Sequence, residues 1–177
     1  MIRCNGLHWT ADFTLARALL PAYKAAGKER LVYLCVGDPD DLGDRLGPMV
    51  GQELQKYYPF VIGTLEEPVL DANLGEVWRR MEKEWADAFI ICVEAGVGAA
   101  EHLGHVEVTD RGLRRRPKGA ELPPWVGDTG IYAILWPENQ TEDSPSLNVN
   151  QVHRIADAII DGQIRFLQNA GKYDPVL

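Results

Sequence analysis

The chain has 177 residues, 46% hydrophobic and 25% charged, which fits one soluble domain, 1–177, and excludes a collagen-like, coiled-coil or largely disordered chain. With 18 Lys and Arg against 26 Asp and Glu, the net charge is −8, which disfavours sequence-independent binding to nucleic-acid phosphates. The three cysteines, Cys4, Cys35 and Cys92, are an odd count, and two lie in apolar runs, which reads as free thiols in a reducing compartment.

From the N-terminus, Thr10 to Ala26 has a mostly helical spacing of Phe13, Leu15, Ala16, Leu19 and Leu20, with Thr10 as its cap and Gly27 as its stop. Leu31 to Val36 is an apolar run of strand length, suited to burial on both faces. A loop from Gly37 to Gly43 leads into a helix over about 44–57, where Pro48 is tolerable only near the first turn. Phe60 to Thr64 reads as a short strand, Glu67 to Glu84 as a helix, and Ala88 to Val93 as a second fully apolar strand. Val106 to Val108 and Gly112 to Arg115 suit pieces of an edge hairpin, and Ile131 to Trp136 forms the last strand. After a polar connection over 138–146, Asn148 to Ala170 closes the chain as a helix with apolar Val149, Val152, Ile155, Ala156, Ile159 and Ile160. Strands alternating with helices predict an α/β fold, a three-layer α/β/α sandwich with a mainly parallel sheet. The stretch from Val106 to Trp136 has no helical crossover, so antiparallel edge strands are expected there.

No basic N-terminal region runs into an apolar stretch, and the most apolar window, 88–100, is too short for a span and carries Glu94. The expectation is a cytoplasmic protein with no membrane partner. Trp78, Trp85, Trp125 and Trp136 suit a core or a subunit interface equally, which leaves a homo-oligomer open.

The inventory excludes several chemistries. The only serines, Ser144 and Ser146, flank Pro145 in a polar connection, away from any nucleophile elbow. Cys35 and Cys92 lie inside predicted core strands, where a thiol is usually inert. No phosphate-binding loop or dinucleotide fingerprint follows a strand, and no cofactor is called for. His102 and His105, three apart around Gly104, read as loop histidines, with a metal site as the sharper alternative. The basic run Arg111, Arg114, Arg115, Arg116 and Lys118 reads as a solvated face or as a clamp for an acidic ligand or partner.

The informative stretch is Asp38, Asp40, Asp41 and Asp44, crowded between a strand end and a helix start. Capping explains one or two of them, not four. The second acid is Glu94, directly after the strand 88–93 and ahead of Gly96 and Gly98. An acid at the carboxyl end of a buried strand sits where open α/β sheets place ligands, although Glu94 could equally cap a turn. If the two apolar strands are parallel neighbours, Asp44 faces Glu94 across a crevice.

Those residues carry a resemblance. Gly37 to Gly51, with its Gly43-Asp-Arg-Leu-Gly-Pro48 core, resembles a segment of the YyaC-like sporulation proteins; Gly63 to Leu74 is similar to their next block, and Leu122 to Ile131 to a late one. The three blocks span roughly 30–136 in order. The family is related to the spore germination protease and more distantly to hydrogenase maturation proteases. The resemblance implies a phosphorylase/hydrolase-like α/β/α fold and a peptidase-type site with Asp44 and Glu94 as its acids. It also implies a peptide or protein substrate met by Asp38, Asp41, Asn73, Gly127 and Asp128, and a cytoplasm that includes the developing spore compartment. Glu94 stands where the family usually has Asp, and Leu70 where it has His. Val126 and Gly127 stand near the position where the hydrogenase enzymes supply a histidine metal ligand, so no metal is carried over.

The mechanism expected is a carboxyl pair sharing one proton. Asp44, at a helix N-terminus, keeps its charge and acts as general base; Glu94, at the end of an apolar strand, protonates more easily and acts as general acid. The competing class is a catalytically inactive sporulation factor or protein-binding module on the same scaffold. A weaker alternative is a metal-assisted hydrolase using His102 or His105 with Asp38 or Asp44.

Overall fold

The computed structural model describes residues 1–114, 125–141 and 144–175. Its elements in chain order are β1 (Ile2–Asn5), α1 (Ala11–Ala26), β2 (Arg30–Cys35), α2 (Leu46–Leu54), β3 (Val61–Ile62), α3 (Leu74–Glu84) and β4 (Ala88–Gly98), then β5 (His105–Thr109), β6 (Leu113–Arg114), β7 (Trp125–Val126), β8 (Thr129–Pro137) and α4 (Val149–Asn169). Six strands form one sheet in the order β1-β5-β8-β4-β2-β3, and β6 pairs with β7 separately. β3, β2, β4 and β8 run parallel, while β5 lies antiparallel to β8 and β1 antiparallel to β5.

The sheet is the middle layer of a three-layer α/β/α fold. On one face Leu31, Tyr33, Phe89, Ile91, Val93, Ile131 and Ala133 share a core with Leu15 and Leu19 of α1, Leu46 and Val50 of α2, and Ile155, Ile159 and Phe166 of α4. On the other, Val32, Leu34, Ile90 and Cys92 meet Leu74, Trp78 and Met81 of α3. The strand period of two thus delivers alternate residues to opposite cores, which is why both central strands read as unbroken apolar runs.

Several elements differ from the sequence reading, each for a local reason. β1 was not expected: its four residues are mostly exposed, and it exists through antiparallel pairing of Ile2–Asn5 with His105–Val108. β1 is therefore the sheet edge, and Val106–Val108 lies one strand inside it. Thr10 precedes α1 without a side-chain cap; its hydroxyl meets His8 Nδ1 at 2.8 Å instead. α2 is confined to Leu46–Leu54, because Asp44 belongs to the preceding loop. α3 starts at Leu74 rather than at 67: Val69 bridges Val36 in parallel, and the Asn73 side chain accepts from Leu70 N (2.8 Å) and donates to Pro68 O (3.2 Å). β4 does not stop at Val93. It continues for five residues beside β8 after β2 has ended at Cys35↔Val93, so Glu94 is inside a strand and not behind it.

α4 starts as its sequence suggests. Asn148 accepts from Gln151 N (3.0 Å), and the Gln151 side chain accepts from Asn148 N (3.0 Å), a reciprocal capping box. Asn148→Ala removes one acceptor and costs about 1 kcal/mol, readable as a lower urea midpoint at unchanged slope. Among the described residues, no helix is long and apolar enough to cross a membrane.

Candidate active site

The site grows from the place where α2 rests directly on strand backbone. A Cβ on Gly51 would collide with the carbonyl oxygen of Gly63, and one on Gly63, whose φ is 92°, with the carbonyl oxygen of Cys35. With no side chain between them, the helix sits low over the end of β2, and its leading loop hangs over the carboxyl ends of the parallel strands.

Hydrogen bonds within that loop set the aspartates. Asp41 Oδ1 accepts from Gly43 N (3.0 Å) and Asp44 N (3.2 Å), and Asp38 Oδ1 accepts from Asp40 N (2.9 Å). Asp44 Oδ2 accepts from Asp38 N at 2.8 Å. These are local turn bonds of the kind short acidic side chains make. None of them caps α2, whose cap residue is Arg45 and has no side-chain cap bond.

Asp44 and Glu94 meet at a cleft of about 320 Å³, lined also by Val36, Gly37, Asp38, Leu70, Asp71 and Ala72. The bond to Asp38 N favours the charged form of Asp44, but burial outweighs it, and the charges of Asp41, Asp71 and Asp38 act in the same direction as burial. The Asp44 carboxyl is held above the usual aspartate range. The helix N-terminus therefore does not lower its proton affinity as expected: the carboxyl is bonded inside the loop, not to the open N–H groups of α2.

The residues expected to meet substrate separate. Asp38 lines the cleft with the two acids, whereas Asp41 is exposed and spends an oxygen on the loop. Asn73 lies on the far side of the Val69–Asn73 segment, lining a neighbouring groove of about 650 Å³ beside β3 and α3. Gly127 and Asp128 are at the opposite, amino-terminal end of β4. Asp128 takes Lys28 Nζ on both oxygens (2.9 and 3.1 Å) and accepts from Ile90 N at 2.8 Å. Ile90 is four residues before Glu94, about 13 Å along a strand. Asp128 is a structural acid: Asp128→Ala strands the Ile90 N–H, lowers stability by about 1–3 kcal/mol and leaves the chemistry at Asp44 unchanged, which calorimetry and a turnover assay together check.

Asp71 was missed. It lies in the segment Gly63 to Leu74 that resembles the second family block, but only the fold of the chain after Val69 turns it toward Asp44. Leu70, standing for the family's histidine, also lines the cleft. His102 and His105 do not line it; His102 Nε2 sits 2.6 Å from Arg3 Nη1 and its ring 5.6 Å from that of His105. A metal site joining these histidines to Asp38 or Asp44 is not assembled. Among the described residues, no group of three or more His, Cys, Asp and Glu is placed to hold a metal ion. Arg115, Arg116, Lys118 and Leu122 to Pro124 lie outside the described residues; Arg111 is exposed, 5.5 Å from the centre of the Trp125 ring.

A family model described as "Protein of unknown function (DUF1256)" matches residues 7–162. The "Uncharacterized protein YyaC" of Bacillus subtilis (strain 168) is 33% identical over 115 residues, 63% of this chain and 56% of that relative. The match thus spans little more than half of the relative's length. No solved structure matches the chain.

Proposed function

Given that the chain belongs to the DUF1256 family, we propose that it is a sporulation-associated peptidase of the germination protease-like class, hydrolysing peptide bonds with the Asp44–Glu94 pair. The observation that carries this reading is the shared cleft: two acids from different elements line one opening just beyond the carboxyl end of β2, where β4 runs on beside β8. That is where open α/β sheets bind ligands. The link to spores rests on the resemblance of the segments 37–51 and 63–74 to YyaC-like sporulation proteins, which also supports a cytoplasmic location, including the developing spore.

In the proposed step, ionised Asp44 takes a proton from water as the hydroxyl oxygen adds to the scissile carbonyl carbon. Protonated Glu94 supplies a hydrogen bond to that carbonyl and then gives its proton to the departing amine as the C–N bond breaks. The proton taken by Asp44 passes back to Glu94, so the pair ends as it began. A raised proton affinity makes Asp44 a stronger base than an ordinary aspartate, which suits work near neutral pH. The partner is a peptide or protein; the net charge of −8 disfavours nucleic acid.

A second reading, a protein-binding module without turnover, is favoured by one observation: Leu70 lines the cleft where the resembling family has histidine. Mapping of new peptide termini in extract from sporulating cells separates the two. Wild type creates termini that the Asp44→Asn/Glu94→Gln double variant does not; identical termini with both proteins would leave the binding module.

A further inference from the structure

We propose that Trp136 is a positioning residue for Asp44: its indole, turned by a bulge in β8 onto Gly43, anchors the loop that presents the carboxylate. The inference rests on the reading of Asp44 as a working acid and extends it to a residue outside the acidic loop. Between Asp38 and Arg45, Gly43 is the one buried residue; Asp40, Asp41 and Leu42 are exposed. The atoms nearest a Cβ placed on Gly43 are those of the Trp136 ring, with which it would collide. Asp41 Oδ1 then couples Gly43 N to Asp44 N, so the glycine held by the indole and the acid that lines the cleft share one acceptor.

The bulge explains how Trp136 reaches this place. Along β8, Ile131, Ala133 and Leu135 face the core under α1, α2 and α4, and regular alternation would turn residue 136 to the opposite side. The pairing with β4 shifts between Gly96↔Ile134 and Val97↔Trp136, leaving Leu135 as the extra residue. Leu135 and Trp136 consequently both pack against the core on the α2 side. Re-aiming one side chain is a frequent consequence of a bulge beside a functional site.

The test is a carbon-13 NMR titration of the Asp44 carboxyl in the full chain, in wild type, Trp136→Phe, Trp136→Leu, Gly43→Ala and the double variant Gly43→Ala/Trp136→Leu. Burial is the largest influence raising Asp44, so a loop released from its anchor lets water in and lowers the midpoint. A lower midpoint is expected in Trp136→Leu and in Gly43→Ala, partial recovery in the double variant where the new methyl has room, and the wild-type value in Trp136→Phe. On a peptide identified by terminus mapping, kcat falls about 10–100-fold in the two displaced variants with KM little changed, the scale of a misplacement near 1 Å. A midpoint unchanged in Gly43→Ala and in Trp136→Leu, both folded by circular dichroism, overturns the proposal. If Trp136→Leu does not fold, Gly43→Ala decides alone. Should Asp44→Asn keep full turnover while these midpoints still move, the peptidase reading fails and the positioning role stands.

Discussion

Asp44→Asn lowers hydrolysis of a cleaved peptide about 10²–10⁴-fold, the usual range for loss of a general acid or base, and at neutral pH it makes the protein more stable. Glu94→Gln lowers turnover over the same range. The stability effect follows from the raised proton affinity of Asp44 in the fold. The folded state holds that proton more tightly than the unfolded chain, so the group favours folding in acid, below the unfolded value. That contribution is lost as pH rises through the raised folded value. Above it the loop confines a charge that burial and three neighbouring aspartates oppose, and Asn removes the charge while keeping an oxygen for the Asp38 N–H. Thermal unfolding of both proteins from acid to neutral pH checks this. The midpoints converge in acid, and the variant's becomes the higher as pH rises; a variant less stable at neutral pH would remove the electrostatic account of the site.

Gly63→Ala and Gly51→Ala each destabilise the fold by about 2–4 kcal/mol, combining left-handed backbone strain at 63 with overpacking at both. For a chain of this size that lowers the melting temperature by roughly 5–15 °C. Both glycines sit where α2 meets strand backbone, and the atoms in the way are carbonyl oxygens of Cys35 and Gly63, which no side-chain rotation can clear. The substitutions also move the loop ahead of α2, so activity falls further than the fraction unfolded accounts for. A melting temperature within about 2 °C of wild type for both variants would show that the helix has room to lift, contrary to the close approach described above.

The parts of the molecule that the sequence reveals are those with local causes. Buried runs at 31–36 and 88–93, Gly27 as a helix stop and the helix start at Asn148 all follow from residues within a few positions of one another. What it conceals depends on distant pairing. β1 exists only because His105–Val108 lies beside it, and β4 continues through Gly96 to Gly98 only because β8 lies beside it. Asp44 and Glu94 were named from the acids flanking the two apolar runs and from the resemblance; both line one cleft, although Glu94 is within β4 rather than at its end. Asp128 was implied by the same resemblance, yet it faces Lys28 and Ile90 N at the other end of the sheet. Asp71 and Trp136 had no signal of their own: Asp71 reaches the cleft through the path of the 64–73 segment, and Trp136 reaches Gly43 through a one-residue register shift.

The peptidase account stands on communication between the two carboxyls, and the most direct measurement is the titration of Asp44 with and without the charge at position 94. In wild type the account predicts a broad, two-step Asp44 curve, and in Glu94→Gln a single step at lower pH, because the neighbouring negative charge is gone. Superimposable single-step curves in the two proteins would mean that the acids ionise independently, and the shared-proton mechanism would be contradicted.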